Sequence, residues 1–386
     1  MLNSLRRLLR PPEQKRSAAG ALVALHIAGR PVWTPRNHAL LTREGFAGNA
    51  VGYRCVRMIA EAAASLPWLL YEGEAERDDH PLLRLLRRPN PAQSGRDLME
   101  SLFGFLETAG NGYLEAVTID GELRELHVLR PDRMRAVPSS QGWPEAYEYS
   151  VNGASLRFRQ EGRVPPILHL KLFNPLDDHY GLSPFEAAQK AIDTHNAAGT
   201  WNKAMLDNGA RPSGALMFKG VDGADSLSPE QFERLKKEID ESHMGARHAG
   251  RPLVLEGRFD WKEMSLSPRE MDFIEAKNAA ARDIALAFGV PPMLLGIPGD
   301  NTFANYAEAN RSFWRMTVIP LALRVAEAMG NWLAPGFEGA VRLGFDFDQV
   351  EALSPEREAL WARVGAAEFL TLDEKRQAVG YGVMSN

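Results

Sequence analysis

The chain has 386 residues, 45% of them hydrophobic, a formal net charge of −5 and a single cysteine. That length supports ample core and more than one domain, and the acidic balance argues against a protein that grips nucleic acid over a broad basic face. One cysteine excludes an intrachain disulfide framework and a cysteine-only metal site; no apolar run approaches the roughly 20 residues a membrane-spanning helix needs.

Residues 1–35 read as a basic arm, with Arg6, Arg7, Arg10, Lys15 and Arg16 ahead of a short apolar run at 18–28. The run imitates a secretory signal, but His26 interrupts it, Pro11-Pro12 breaks the lead-in and no small-x-small cleavage site follows. A helix is expected over 49–66, ending at Pro67. Val51, Cys55, Ile59, Ala62 and Leu66 form its apolar face, which makes Cys55 a core residue. Residues 68–71 read as a strand, and 80–86 as a short helix closed by Pro89-Asn90-Pro91. Ser94 caps the next helix, whose buried stripe is Leu98, Leu102, Phe105 and Leu106. Gly110-Asn111-Gly112 ends it and opens a β-rich stretch. Strands are expected at 113–119, 123–129, 134–137, 147–151, 156–159 and 167–172, with Asp120-Gly121 and Asn152-Gly153 as hairpin turns.

At Ser183-Pro184-Phe185-Glu186 the pattern of a capping box opens a helix that runs to Asp207, before Asn208-Gly209 stops it. Its many alanines suit close approach of helices, and equally suit an ordinary helix of high propensity. Strands at 214–218, 251–255 and 259–264 flank a helix that starts at Ser228-Pro229-Glu230-Gln231 and ends near Gly245, giving a small β-α-β module over 209–266. Ser267-Pro268-Arg269-Glu270 then starts a second long helix with Met271, Ile274, Ala281, Ala285 and Phe288 on one face. Gly289 and Pro291-Pro292 end it. A polar loop without a cation follows at 296–305, and a further helical pattern spans 306–332, with Pro320 expected to kink it. After a strand at 341–347, Ser354-Pro355 and Thr371-x-x-Glu374 start two terminal helices. The fold class is α+β.

Several short motifs recur here in a telling order. They are Tyr53-Arg-Cys-Val56, Leu66-Pro67, His80-Pro81-Leu82, Pro89-Asn90-Pro91, Gly110-Asn111-Gly112-Tyr113 and Leu129-x-Pro131, then Gly181-Leu-Ser-Pro184, Asn208-Gly-Ala210 and Pro212-x-Gly214. The run from Phe288 to Gly296 follows, then Asn301 to Asn305, Ile319-Pro320 and Thr371-x-x-Glu374-x-Arg376. From about Gly48 onward the chain resembles the portal (head–tail connector) proteins of tailed double-stranded DNA phages, most nearly the siphophage type that includes gene-transfer-agent portals.

The resemblance implies an assembly of distinct parts. Behind the arm at 1–35 would come a wing at 36–180, a first stem helix at 181–208, a clip at 209–266 and a second stem helix at 267–290. A tunnel loop at 291–305, a kinked long helix and wing strand at 306–349 and crown helices at 350–386 would complete it. It further implies a homo-dodecameric ring at one capsid vertex of a virion or virus-like particle, assembled in the bacterial cytoplasm. Double-stranded DNA would pass through its channel non-specifically. Terminase large subunit, then a head-completion (adaptor) protein, would dock on the clip, and the major capsid protein would surround the ring. Asp300, Asn301, Thr302 and Asn305 are the expected DNA-facing residues of the tunnel loop, Lys277 and Arg282 the stem cations to look for, and Lys236, Lys237 and Arg251 the clip contacts. A strongly basic bore would hold DNA through counterion release rather than let it slide, so weak polar contacts suit passage. This loop carries no lysine, which speaks against a lysine relay along it.

No G-x-x-x-x-G-K-[ST], H-E-x-x-H or G-x-S-x-G motif is present, so no catalytic role, cofactor or small-molecule substrate is expected and the motor would be a partner. The contrasting reading is a soluble α+β metal-dependent hydrolase using Asp177, Asp178 and His179, with His169 near in sequence; a loop with two acids before a helix is commonly just solvated. Asp346 and Asp348 are expected on the polar face of the 341–347 strand.

Overall fold

The structure is a computed structural model and describes residues 33–35, 37–73, 75–207, 214–218, 228–243, 259–263, 273–298 and 303–381. Backbone contacts divide the chain into two compact units. One holds the described residues between Thr200 and Asp272; the other holds Trp33–Gly199 and Phe273–Asn386.

In the larger unit, helices Ala50–Ala64 and Gly95–Ala109 pack face to face. Cys55, Ile59 and Ala63 meet the stripe of Leu98, Leu102, Phe103 and Leu106, all at most 2% exposed. Each large apolar side chain removed from water in this way contributes about 1.5–3 kcal/mol. Phe103, not Phe105, carries the aromatic ring of that stripe, and Phe105 is half-buried. The cysteine is fully buried, and burial pushes its thiol up to about 12. Ser94 and Asp97 close a reciprocal capping box at the start of the second helix, and Gly110, at φ +70°, ends it.

Among its described residues the larger unit holds three antiparallel sheets. Asn111–Ile119 is central between Glu122–Leu129 and Ile167–Lys171, and Pro144–Val151 is central between Met134–Pro138 and Ala154–Arg159. Both tight hairpins have two consecutive positive-φ residues, Asp120 (55°) with Gly121 (82°) and Asn152 (51°) with Gly153 (82°). Such turns match the natural twist of the flanking strands. Trp68–Glu72 pairs with Val341–Phe345 from the far end of the chain and with the two-residue strand Ala75–Glu76, and Trp68 lies 4.1 Å from the Phe345 ring. The distal strand ends at Phe345, so Asp346 and Asp348 are not on a strand face. The Asp346 carboxylate instead accepts from the Asp348 N–H and the Gln349 amide, closing a turn.

In the smaller unit, Gly214–Phe218 pairs antiparallel with Phe259–Glu263, and helix Pro229–His243 lies between them in sequence. Ser228 and Gln231 make the expected reciprocal cap. The strand expected at 251–255 and the helix start at 267–270 lie outside the described residues.

Candidate functional site

The segment that the sequence marks as functional joins helix Phe273–Ala287 to helix Phe303–Phe313. Helix Phe273–Ala287 buries Ala280, Ala281, Ile284 and Ala285. It stops where Gly289 turns to φ +66°, and a short 3-10 turn, Pro292–Leu295, carries the chain away. Ile297 then packs back on Ala281 and Ala285.

From Phe303 onward the helical stretch is continuous but not regular. Phe303–Phe313 is α-helical, Trp314–Val318 is a π turn, and Ile319–Leu333 is α-helical again. Within the turn the Ile319 N–H reaches the Trp314 carbonyl, five residues back. Pro320 sits in the first turn of the third piece, where a missing N–H costs little. The irregularity expected at the proline is therefore taken up just ahead of it.

The π turn places Thr317 against the end of the preceding helix, and its hydroxyl donates to the Gly289 carbonyl at 2.6 Å. A Cβ at position 289 would lie 2.8 Å from that hydroxyl oxygen. This pin joins the two helices on either side of the loop. Thr317→Val is expected to cost about 1 kcal/mol in urea unfolding, the usual net worth of one hydrogen bond; an unchanged midpoint would show that water replaces the bond without loss.

The expected site residues fare differently. Asp300, Asn301, Thr302 and Arg251 lie outside the described residues. Asn305 is exposed, but it stands in the first turn of helix Phe303–Phe313 rather than in the loop. Arg282 is exposed, and its guanidinium donates to the Pro298 carbonyl, so it braces the loop from the helix below. Lys277 is half-buried beside His195, whose imidazole is held below its usual range by burial first and by Lys277 second. Lys236 and Lys237 are both exposed on helix Pro229–His243.

The other flank of the site is helix Pro184–Asp207. Its start is not the reciprocal cap that Ser183 and Glu186 suggest. The buried Ser183 hydroxyl accepts from the Phe185 N–H and donates to the carbonyls of Glu107 and Thr108, fastening this helix to an earlier one. Phe185 is fully buried in a slot opened by two glycines: a Cβ at Gly45 would lie 2.7 Å from its ring, and one at Gly52 would lie 2.9 Å away. On its other side Phe288 meets it edge-on at 5.0 Å.

Polar contacts continue along the same helix. The Thr34 N–H and hydroxyl donate to the Asp193 carboxylate at 2.7 and 2.5 Å, the Gln189 amide donates to the Thr34 carbonyl, and the Asn196 amide donates to Glu44 O at 3.0 Å. Asn49 caps helix Ala50–Ala64 through its oxygen, while its amide donates to Asn196 Oδ1 at 2.8 Å and to His195 Nδ1 at 3.1 Å. Sequence reasoning missed this network. The asparagine before an apolar run was its one visible signal.

The Asp177–His179 loop is a turn. Asp177 Oδ1 accepts from the N–H groups of His179 and Tyr180, and the Asn174 side chain bonds Leu176 N–H and the Tyr180 carbonyl. His169 is held elsewhere: Nε2 lies 2.9 Å from Asn111 Oδ1, and the ring stacks on Tyr113 at 4.2 Å. Burial drives it down to about 3, so it stays neutral, donates to Asn111 and locks strand Asn111–Ile119 to Ile167–Lys171. Among the described residues no three His, Cys, Asp or Glu side chains converge to hold a metal ion, and no described helix is long and apolar enough to cross a membrane. Among the described residues the site is an arrangement of braces and pins.

Residues 50–380 match the family described as phage portal protein. Two solved structures of gene transfer agent (GTA) particles are similar throughout. The neck of an empty particle computed with C6 symmetry has TM-score 0.73, and the neck of a native particle computed with C12 symmetry has 0.72. Both are 55% identical over 92% of this chain and 96% of theirs. An uncharacterized protein of Rickettsia bellii is 43% identical, covering 87% of this chain and 88% of its own length.

Proposed function

The chain belongs to the phage portal protein family, and from that membership we propose that twelve copies form the ring-shaped channel at one capsid vertex, through which double-stranded DNA is packaged and released. The observation that carries this reading is the 55% identity, across 92% of the chain, to a chain in the neck of a native GTA particle computed with C12 symmetry. In this role the chain is a structural component, not an enzyme. Residues 36–180 serve as wing, 181–208 and 267–290 as stem helices, 209–266 as clip, 291–305 as tunnel loop, 306–349 as kinked long helix and wing strand, and 350–386 as crown.

The described geometry supports a channel lining that does not trap its cargo. Arg282 directs its guanidinium to the Pro298 carbonyl and Lys277 is half-buried beside His195, so both stem cations keep their charge while their side chains are held against the protein. Asp300, Asn301, Thr302 and Asn305 would offer the passing phosphates only weak polar contacts. The ring sits in the virion or virus-like particle after assembly in the bacterial cytoplasm, among major capsid protein. Terminase large subunit docks on the clip, and a head-completion protein replaces it.

Native mass spectrometry with negative-stain imaging of the full-length chain tests the ring. A species near twelve subunits with an axial hole is expected; a stable monomer under every condition, including with capsid protein present, would refute it. Docking is tested separately. Lys236→Glu with Lys237→Glu should weaken terminase binding about tenfold or more while rings persist, and unchanged binding would remove those lysines from the contact.

A further inference from the structure

We infer that the turn Glu368-Phe369 is the knob by which one copy of this chain holds the next, seated in an apolar groove that every copy carries on the same pair of C-terminal helices. This deepens the ring assembly proposed above and rests on it. Helices Ser354–Gly365 and Leu372–Ala378 contain no buried residue, unlike the helices of the wing core. Alongside them runs a groove of about 520 Å³ lined by Phe347, Leu353, Leu360, Trp361 and Val379. Phe369 does not line it. Its ring stands 86% exposed on the turn between the two helices.

That turn is pre-organised rather than loose. Thr371 and Glu374 form a reciprocal cap on its far side, Lys375 Nζ donates to the Gly365 carbonyl at 3.0 Å, and the Ala366 N–H bonds Ala362 O at 3.1 Å. The backbone that carries the ring is set before any partner arrives, so docking orders only the side chain.

Charge assigns the occupant. Arg357 and Arg363 rim the groove without a carboxylate partner among the described residues, and the Arg357 guanidinium rests 5.9 Å from the Trp361 ring. Of the rim acids, Glu356 is already held by Arg311 and Arg315, at 3.7 and 3.2 Å, and Asp348 is the other. Glu368, beside the exposed ring, has no cation partner among the described residues. A knob of one apolar ring and one carboxylate thus complements a groove of apolar lining and free guanidinium. Knob and groove are different surfaces of one chain, so the contact can run head-to-tail and propagate around a closed ring, whereas a reciprocal twofold exchange of knobs would stop at dimers. Glu368 is assigned to the partner's Arg363, because Arg357 is engaged with Trp361.

The test is ring formation by full-length chain in native mass spectrometry, with circular dichroism and melting as a check on the fold. Phe369→Ser should reduce the ring population at a fixed concentration about tenfold or more and leave the melting of the unassembled chain unchanged, since the ring makes no core contact. Glu368→Arg should weaken assembly, and adding Arg363→Glu should restore it. Rings as abundant as wild type in both single variants, or no recovery in the charge-swapped pair, would overturn the inference while leaving the ring itself standing. Loss of rings on removal of residues 1–32, with Phe369→Ser silent, would give the groove to the arm and overturn it equally. Absence of any ring in the wild type would instead sink the channel reading from which it follows.

Discussion

Phe185→Ala is expected to destabilise the larger unit by about 3–5 kcal/mol, the range for deleting a buried phenylalanine where the surroundings cannot close in. The collapse is blocked by backbone on two sides. Gly45 belongs to the π turn Arg43–Ala47 and Gly52 to the first turn of helix Ala50–Ala64, and neither has a side chain to shift into the space. A Cβ at Gly52 would itself lie 2.2 Å from the Gly45 carbonyl, so these two segments already touch. Phe288, just beyond helix Phe273–Ala287, forms a third wall. Phe185→Leu keeps most of the volume and should cost about 1.5 kcal/mol or less. Urea unfolding of unassembled chain checks both. A loss below about 1 kcal/mol for the alanine variant would mean that the slot closes after all.

The second large effect is on pH dependence. Glu107 is buried between helices Ala50–Ala64 and Gly95–Ala109, and burial pushes its carboxyl from 4.5 up to about 8. Folded chain holds that proton through neutrality, whereas unfolded chain releases it above about pH 4.5. Folding therefore takes up a proton between these values, and stability falls as pH rises across that window, by up to about 1.4 kcal/mol per pH unit. Below pH 4.5 the carboxyl is protonated in both states and makes no difference; above about 8 the full penalty is present. Glu107→Gln removes the titration and should be the more stable protein at pH 8 by several kcal/mol, with a flatter profile from pH 5 to 8. Parallel melting profiles for the two proteins would show that the carboxylate is solvated in the folded state. Cys55 reports on the same charge, since the Glu107 carboxylate adds to burial in keeping its thiol protonated.

What the sequence made legible is what short range decides. Asp-Gly and Asn-Gly announce hairpins because only a few residue types accept two positive φ values in succession, and Ser94, Ser228 and Thr371 announce helix starts because their partners stand three residues on. Ser183 carries the same local pattern, yet its hydroxyl bonds carbonyls 75 and 76 residues away, a choice made by packing. The bond from Thr34 to Asp193 spans 159 residues and leaves no periodic trace. The stripe of Leu98 and Leu102 was visible, but whether Phe103 or Phe105 completes it depends on the angle at which Ala50–Ala64 crosses. Asn305 reads as loop because Gly, Asp and Asn crowd before it, while the helix begins at Phe303. The family itself was legible through order and spacing of motifs that are weak one at a time.

The π turn at Trp314–Val318 has a consequence for how this chain can change over time. An extra residue in one turn advances the helical phase by about 100°, so everything before it faces a different way from where an uninterrupted helix would put it. Side-chain identity within the turn is thereby less constrained than its length. Exchange of Met316, which is 77% exposed, should be tolerated. Deletion of any one of the five residues would rewind the segment to regular α-helix, pull Thr317 off Gly289 and swing Asn305 and Tyr306 about a quarter turn around the helix axis. Among descendants of this sequence, insertions and deletions should be rarer here than the exposed surface would suggest.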